Sequence, residues 1–179
     1  MAAPAMIRRA DAEDAAAVAR LHARSWQSTY RGLIPDEIID RVLGGESTRA
    51  ERLRDLFADT DNERRGWVAT CQNAVVGMAI SCRSHDPDAS DRTGEIEAIY
   101  LDPDFTGMGI GRSLFQHATN DLREQGFEEV TLWVLDSNLQ ARKFYEAASW
   151  HFDGATKEDE RPGGVLHEVR YRRPLSVGS

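Results

Sequence analysis

The sequence predicts an α/β fold: a mixed, largely antiparallel sheet with helices on both faces. Three observations carry that reading. Hydrophobic periodicity and breaker residues order the elements as β-α-α-α-β-β-β-α-β-α-β-β. One strand, a glycine-bearing loop, a helix and a second strand follow in succession across 95–135, which makes a right-handed parallel crossover. The strands before and after it are joined as hairpins. The 179 residues read as one domain, 1–179.

The first strand covers 6–9. Asp11 then stands as an N-cap, with Asp14 three residues on. Val18, Leu21, His22, Ser25, Trp26 and Thr29 recur at helical spacing, so a helix over 13–29 turns one face inward until Gly32 ends it. Pro35 opens a second helix over 36–42, and Gly44-Gly45 breaks it. A third helix over 47–58 points Ala50, Leu53, Leu56 and Phe57 inward. Strands 66–71 and 75–83 meet at Gln72-Asn73, a hairpin signal. Residues 84–92 are polar and hold Pro87 and three Asp, the composition of a mobile loop. Strand 95–101 follows, then loop 103–109 and helix 110–125, capped by Gly126. Leu114, Phe115, Ala118 and Leu122 form that helix's inner face. Strand 130–135, helix 139–148 and strands 150–153 and 166–172 complete the chain, the last two flanking a charged loop at 157–164. Disorder is expected in 84–92 and 157–164.

Composition excludes several functions. Lys plus Arg is 22 against 30 for Asp plus Glu, a net charge of -8. Generic nucleic-acid binding needs the opposite balance. Acidic character suits a cationic small partner better than an anionic one. Cys71 and Cys82 make no disulfide framework, which fits a reducing compartment. The N-terminus has no apolar h-region, and the longest apolar run, 74–80, is too short for a membrane helix. A cytoplasmic protein is expected. The five histidines are scattered without metal spacing, and no Gly-x-Ser-x-Gly elbow is present. No metal is expected.

The informative segment is Thr106-Gly107-Met108-Gly109-Ile110-Gly111, between a strand and a helix. Its glycines let the backbone approach a ligand, and successive amides at a helix N-terminus suit an anion such as a pyrophosphate. A tight turn with close helix packing would need the same glycines. A Walker loop requires a Gly-Lys pair, which is missing. A dinucleotide fingerprint requires a third glycine where Arg112 stands.

A second motif, Asn138-Leu139-Gln140-Ala141-Arg142-Lys143-Phe144-Tyr145-Glu146, follows the strand Thr131-Leu132-Trp133-Val134-Leu135. With it the chain resembles the GCN5-related N-acetyltransferase (GNAT) superfamily. Strand 95–101, Asp102-Pro103 and the Gly-x-Gly-Ile-Gly loop resemble that family's acetyl-CoA motif. Asn-x-x-Ala-x-x-Phe-Tyr-Glu resembles its second motif. Leu21 to Trp26 with Tyr30 to Pro35 resembles a bacterial subgroup of unassigned acceptor. Thr106 stands where the family carries Gln or Arg, and Ser149 where it carries Gly, which asks for a different helix cap.

The resemblance implies an acetyl-CoA-dependent N-acetyltransferase working by direct transfer. The acceptor is an amine-bearing small molecule or peptide, without nucleic acid or membrane. A homodimer is implied as well. The central parallel strands splay apart. The backbone of Thr106 and Gly107 and the amides from Met108 through Gly109, Ile110, Gly111 and Arg112 to Ser113 hold the pyrophosphate; the Arg112 side chain adds a charge or faces solvent. The pantetheine arm lies along Ile99 and Leu101 like an added strand. Asn138 bonds the arm, caps its helix, or does both. Tyr145 donates a proton to the departing thiolate, or packs with Ala141 and Phe144. A lysine-like amine pays about 4–5 kcal/mol to become neutral at pH 7, so a base is wanted. Glu95 matches the family's base position. Glu97, on the same face of a regular strand, is a second base candidate or a contact for a cationic acceptor, and a solvated carboxylate explains either. Trp26, Tyr30 and Trp133 are candidate acceptor walls, and Trp26 reads equally as core. A non-catalytic acyl-CoA-binding module is the rival reading. An acyl group larger than acetyl turns on slot width beside Ile99.

Overall fold

The structure is a computed structural model, and it describes residues 5–175. The ends of the expected 1–179 domain, residues 1–4 and 176–179, lie outside the described residues. The strands are β1 (Met6–Arg9), β2 (Arg65–Cys71), β3 (Ala74–Arg83), β4 (Thr93–Leu101), β5 (Glu129–Leu135), β6 (His151–Arg161) and β7 (Gly164–Pro174). The helices are α1 (Ala15–Tyr30), α2 (Asp36–Gly44), α3 (Glu46–Ala58), α4 (Ile110–Glu124) and α5 (Leu139–Ala147). The seven strands form one sheet in the order β1-β2-β3-β4-β5-β7-β6. Only β4 and β5 pair in parallel.

Local chemistry explains several boundaries. Asp11 and Asp14 form the expected capping box, on a short 3-10 turn ahead of α1. Gln72 and Asn73 sit at φ 50° and 64°, the left-handed pair that a two-residue hairpin turn demands. Ser149 holds φ 65° itself just past α5, so no alternative cap replaces the family's glycine.

Each sheet face buries its own core. Val18 and Leu21 of α1 and Leu53, Leu56 and Phe57 of α3 pack on Val68, Met78 and Ile80. On the opposite face, Leu114, Phe115 and Leu122 of α4 and Tyr145 of α5 pack on Ala69, Val76, Ile96, Val130 and Leu132. Burying one such aliphatic or aromatic side chain contributes about 1.5–3 kcal/mol. No helix of the described residues is long and apolar enough to cross a membrane.

Two expectations change. The charged loop at 157–164 is instead a long hairpin, with Glu158 opposite His167 and Lys157 opposite Glu168, 3.4 Å apart as an ion pair. β6 is an edge strand exposed along nearly its whole length, so no residue in it had to be apolar. Residues 84–92 are tethered. Arg170 is buried and bonds Asp86 and Asp88 of that loop at 3.0 and 2.6 Å and Asp153 of β6 at 2.8 Å.

Candidate active site

β4 and β5 are in register at only three rungs, ending at Glu95 opposite Thr131. Beyond that rung the strands part. A bulge in β4 between Ile96 and Ala98, opposite Ile80 and Ser81 of β3, falls at the fork. The bulge inserts Glu97 and shifts the pleat. Ile99 and Leu101 thereby pack with the α4 core, while Ala98 and Tyr100 join the α1 side.

Hydrogen bonding follows from the same register. The Asp102 amide donates to the Val76 carbonyl at 2.9 Å, so Leu101 opposite Gly77 and Ile99 opposite Ala79 are the non-bonded pairs of that ladder. Their amides and carbonyls point away from β3, into the gap, with no rung on β5. An extended polar chain fits there as a missing strand.

The glycine loop leads from the end of β4 into α4. Gly107 and Gly109 hold φ 78° and 79°, and nothing lies within 4 Å of the space a side chain would occupy. Gly111 works differently, since a Cβ there would meet Leu101 Cδ1 at 2.7 Å. The amides of 107–112 have no acceptor among the described residues and surround the positive end of α4. Ser113 departs from expectation: its amide already donates to the Gly109 carbonyl at 3.1 Å, the first bond of the helix. Thr106 turns its hydroxyl back to the Pro103 carbonyl at 3.0 Å, which leaves only its backbone near the loop. The Arg112 side chain is exposed and makes no ion pair among the described residues.

Asn138 is buried and caps α5, its Oδ1 accepting from the Ala141 amide at 3.2 Å. Its two Nδ2 donors are left over. Tyr145, two turns into the same helix, is buried against Phe115, Phe144, Trp150 and Tyr171. Its hydroxyl makes no hydrogen bond among the described residues. Burial, and then the neighbouring Tyr100, push the phenol well above its ordinary value, so it stays protonated.

Glu95 is half-buried at the last parallel rung. Burial first, then the charge of Asp86, raise its carboxyl above the ordinary range. Trp133 shares that face and donates through Nε1 to Asp86 at 3.0 Å, with the Lys157 ammonium 4.3 Å from its ring centre. Glu97 is occupied elsewhere. Arg64 grips both its oxygens, one at 2.9 Å from Nε, and Cys82 Sγ lies 3.7 Å away. That ion pair engages the Glu97 carboxylate in this structure. Trp26 and Tyr30 meet edge-to-face at 4.6 Å on the α1 side, and Trp26 is buried as core between α1, α2, β5 and β7.

The glycine cradle, the forked strands with outward amides and the unpaired phenol fit one extended acyl thioester of coenzyme A. A model of the acetyltransferase (GNAT) family matches residues 18–150. The chain belongs to the GNAT family. It is 28% identical over 149 residues to the uncharacterized N-acetyltransferase YuaI of Bacillus subtilis, covering 80% of this chain and 78% of that protein. The spermidine N(1)-acetyltransferase of Thermoplasma acidophilum is 22% identical over 92% of this chain and 96% of its own length. The solved PaiA N-acetyltransferase of Thermoplasma acidophilum, in complex with coenzyme A, superposes with a TM-score of 0.75 at 19% identity, over 97% of this chain and all of that one. This GNAT protein is therefore an acyltransferase. Among its described residues no cluster of His, Cys, Asp and Glu could hold a metal ion.

Sequence reasoning missed Asp86, Tyr100 and Arg64. Asp86 sits in a segment whose composition signals only a loop. Tyr100 was one alternating strand residue among several, and the bulge that decides its face is set by pairing with β3.

Proposed function

We propose that this GNAT protein transfers the acetyl group of acetyl-CoA directly to a primary amine of a small molecule or peptide. The fork between β4 and β5 carries the proposal. It presents the free backbone groups of Ile99 and Leu101 beside Glu95 on one side and Tyr145 on the other. The donor supplies an activated acyl group; the chain's own residues supply position and proton traffic. The amides of 107–112 bind the pyrophosphate, and Asn138 Nδ2 and the β4 backbone align the arm. Glu95 takes the proton from the ammonium, directly or through water, which offsets part of the deprotonation cost. A backbone amide near Ile99 faces the developing oxyanion. Tyr145, buried and protonated, gives its proton to the departing sulfur. Asp86 and Trp133 border the acceptor side at Glu95. The proposal includes a homodimer, supported by the family resemblance alone, and sedimentation velocity tests it.

A thermal-shift titration with acetyl-CoA, CoA, NAD and ATP tests the donor site. Binding to the folded state alone adds about 2.7 kcal/mol at a hundredfold excess over Kd. A shift with both CoA species and neither nucleotide is expected. Thiol release with primary amines then tests transfer, and a chain that binds CoA but acetylates nothing is a binding module instead.

A further inference from the structure

The α1 side of the fork holds a cluster that the proposed reaction does not use. Trp26 is 7% exposed, and its Nε1 makes no well-formed hydrogen bond, the Tyr100 hydroxyl beside it lying outside good geometry. His22 Nδ1, one turn earlier, is buried and equally without a partner. The two rings lie 5.6 Å apart, and Tyr100 meets His22 edge-on at 4.6 Å. Tyr30 meets Trp26 edge-to-face, and its phenol, raised first by burial, also senses Tyr100 and Tyr145. Tyr100 stands on β4 between Ile99 and Leu101, so the cluster borders the fork.

Its charges are unbalanced toward the positive. The Arg161 guanidinium carbon is 5.6 Å from the Trp26 ring centre, and Asp159 pairs with it at 2.8 Å. Glu168, the nearby carboxylate of β7, is paired with Lys157 at 3.4 Å. Arg49 of α3 is half-buried, gives one N–H to the Val42 carbonyl at 3.1 Å, and makes no ion pair among the described residues. Burial, with Arg49 and Arg161 adding to it, pushes the His22 imidazole down to about 3, so it is neutral at pH 7. A cation without an ion pair, offset only at a distance by Glu46, shares one wall with a buried indole N–H in poor contact with Tyr100 and a neutral imidazole nitrogen. Enclosed polar groups normally have partners. An oxyanion supplies the charge and the acceptor lone pairs that this wall lacks.

We propose that Trp26, His22 and Arg49 form a subsite for an oxyanion on the acceptor, so that the acetylated amine belongs to a carboxylate-bearing molecule such as an amino acid. The inference rests on the amine-acetylation reading and narrows its acceptor class. A polyamine would put a second cation against Arg49. The ammonium end goes to Glu95 and the carboxylate end to the α1 wall, so the two poles orient the molecule across the fork.

The test is a thiol-release assay with the twenty amino acids and the ω-amino acids of two to six carbons. Matched primary amides and diamines of equal length are run beside them. The expected result is a kcat/KM at least tenfold higher for the best acid than for its amide. Trp26→Phe, which keeps the ring and removes the N–H, and Arg49→Gln are each expected to cut that ratio at least threefold, mainly through KM. The thermal shift with acetyl-CoA reports whether each variant is folded. Amides or diamines acetylated as well as the acids overturn the subsite and leave amine acetylation standing. A ratio unchanged in both folded variants also overturns it. No thiol release from any of these amines overturns the subsite, and peptide amines assayed in the same way then decide the acetylation reading.

Discussion

Burial raises both Tyr145 and Glu95, and in the proposed reaction the consequences differ because one must hold a proton and the other must lack one. A raised phenol remains a proton donor across the working pH range. Tyr145→Phe is expected to lower kcat by about 10–1,000-fold, spanning the usual worth of a positioned acid. The acetyl-CoA thermal shift should persist, since the ring still packs; equal kcat in the two proteins removes the proton-donor role. A raised carboxyl works the other way. Glu95 accepts a proton only above its own pKa, so activity falls as pH drops through a value above the ordinary ~4.3. Asp86→Asn removes the negative neighbour, stabilises the Glu95 carboxylate, and should move that acidic limb to lower pH. Glu95→Gln should abolish the limb and lower kcat about a hundredfold. A pH–rate profile of the three proteins checks both signs. Tyr145 and Glu95 were legible as candidates because their motifs stand beside them in the chain. The grip of Arg64 on Glu97 was not, because the partners are 33 residues apart and meet only through the sheet.

At the scale of single elements, Ser149 carries a strain that glycine would relieve. The left-handed conformation costs an ordinary residue about 1–2 kcal/mol, partly offset by glycine's greater freedom when unfolded. Ser149→Gly is expected to stabilise the protein by about 1 kcal/mol, raising Tm by about 2–4 °C. Calorimetry showing no gain or a loss would refute that strain. The glycine loop divides into two mechanisms. Gly111→Ala drives a methyl against Leu101, so it should separate α4 from β4, lower Tm and abolish the acetyl-CoA shift. Gly107→Ala meets open space and strains only its own φ, so a smaller loss of Tm is expected. Most elements were readable because each buries one face: the 13–29 stripe became α1, and Gln72-Asn73 became the turn. β6 was not readable because it buries almost nothing. The bulge at Glu97 was equally hidden, since it exists only in relation to β3.

Across the whole molecule, the sheet is complete on its β1–β3 side and open at its centre. Arg170 counteracts the opening. It ties the 84–92 loop to β6 and β7 and holds Asp88 down to about 2 through its direct hydrogen bond. The acceptor side is thus braced by ion pairs that composition alone showed only as polar loops. The amides of Ile99 and Leu101, turned into the gap, are slow to exchange hydrogen only when something occupies it. In deuterated solvent they should exchange fast in the ligand-free protein and slow by at least tenfold with CoA bound, while Tyr100 and Asp102, bonded to β3, change little. Residue-resolved exchange measured by NMR separates those amides. Uniform slowing along β4 would instead mean general stiffening. The alternation would make two neighbouring rungs of one strand keep different time, one set by the protein and the other by its guest.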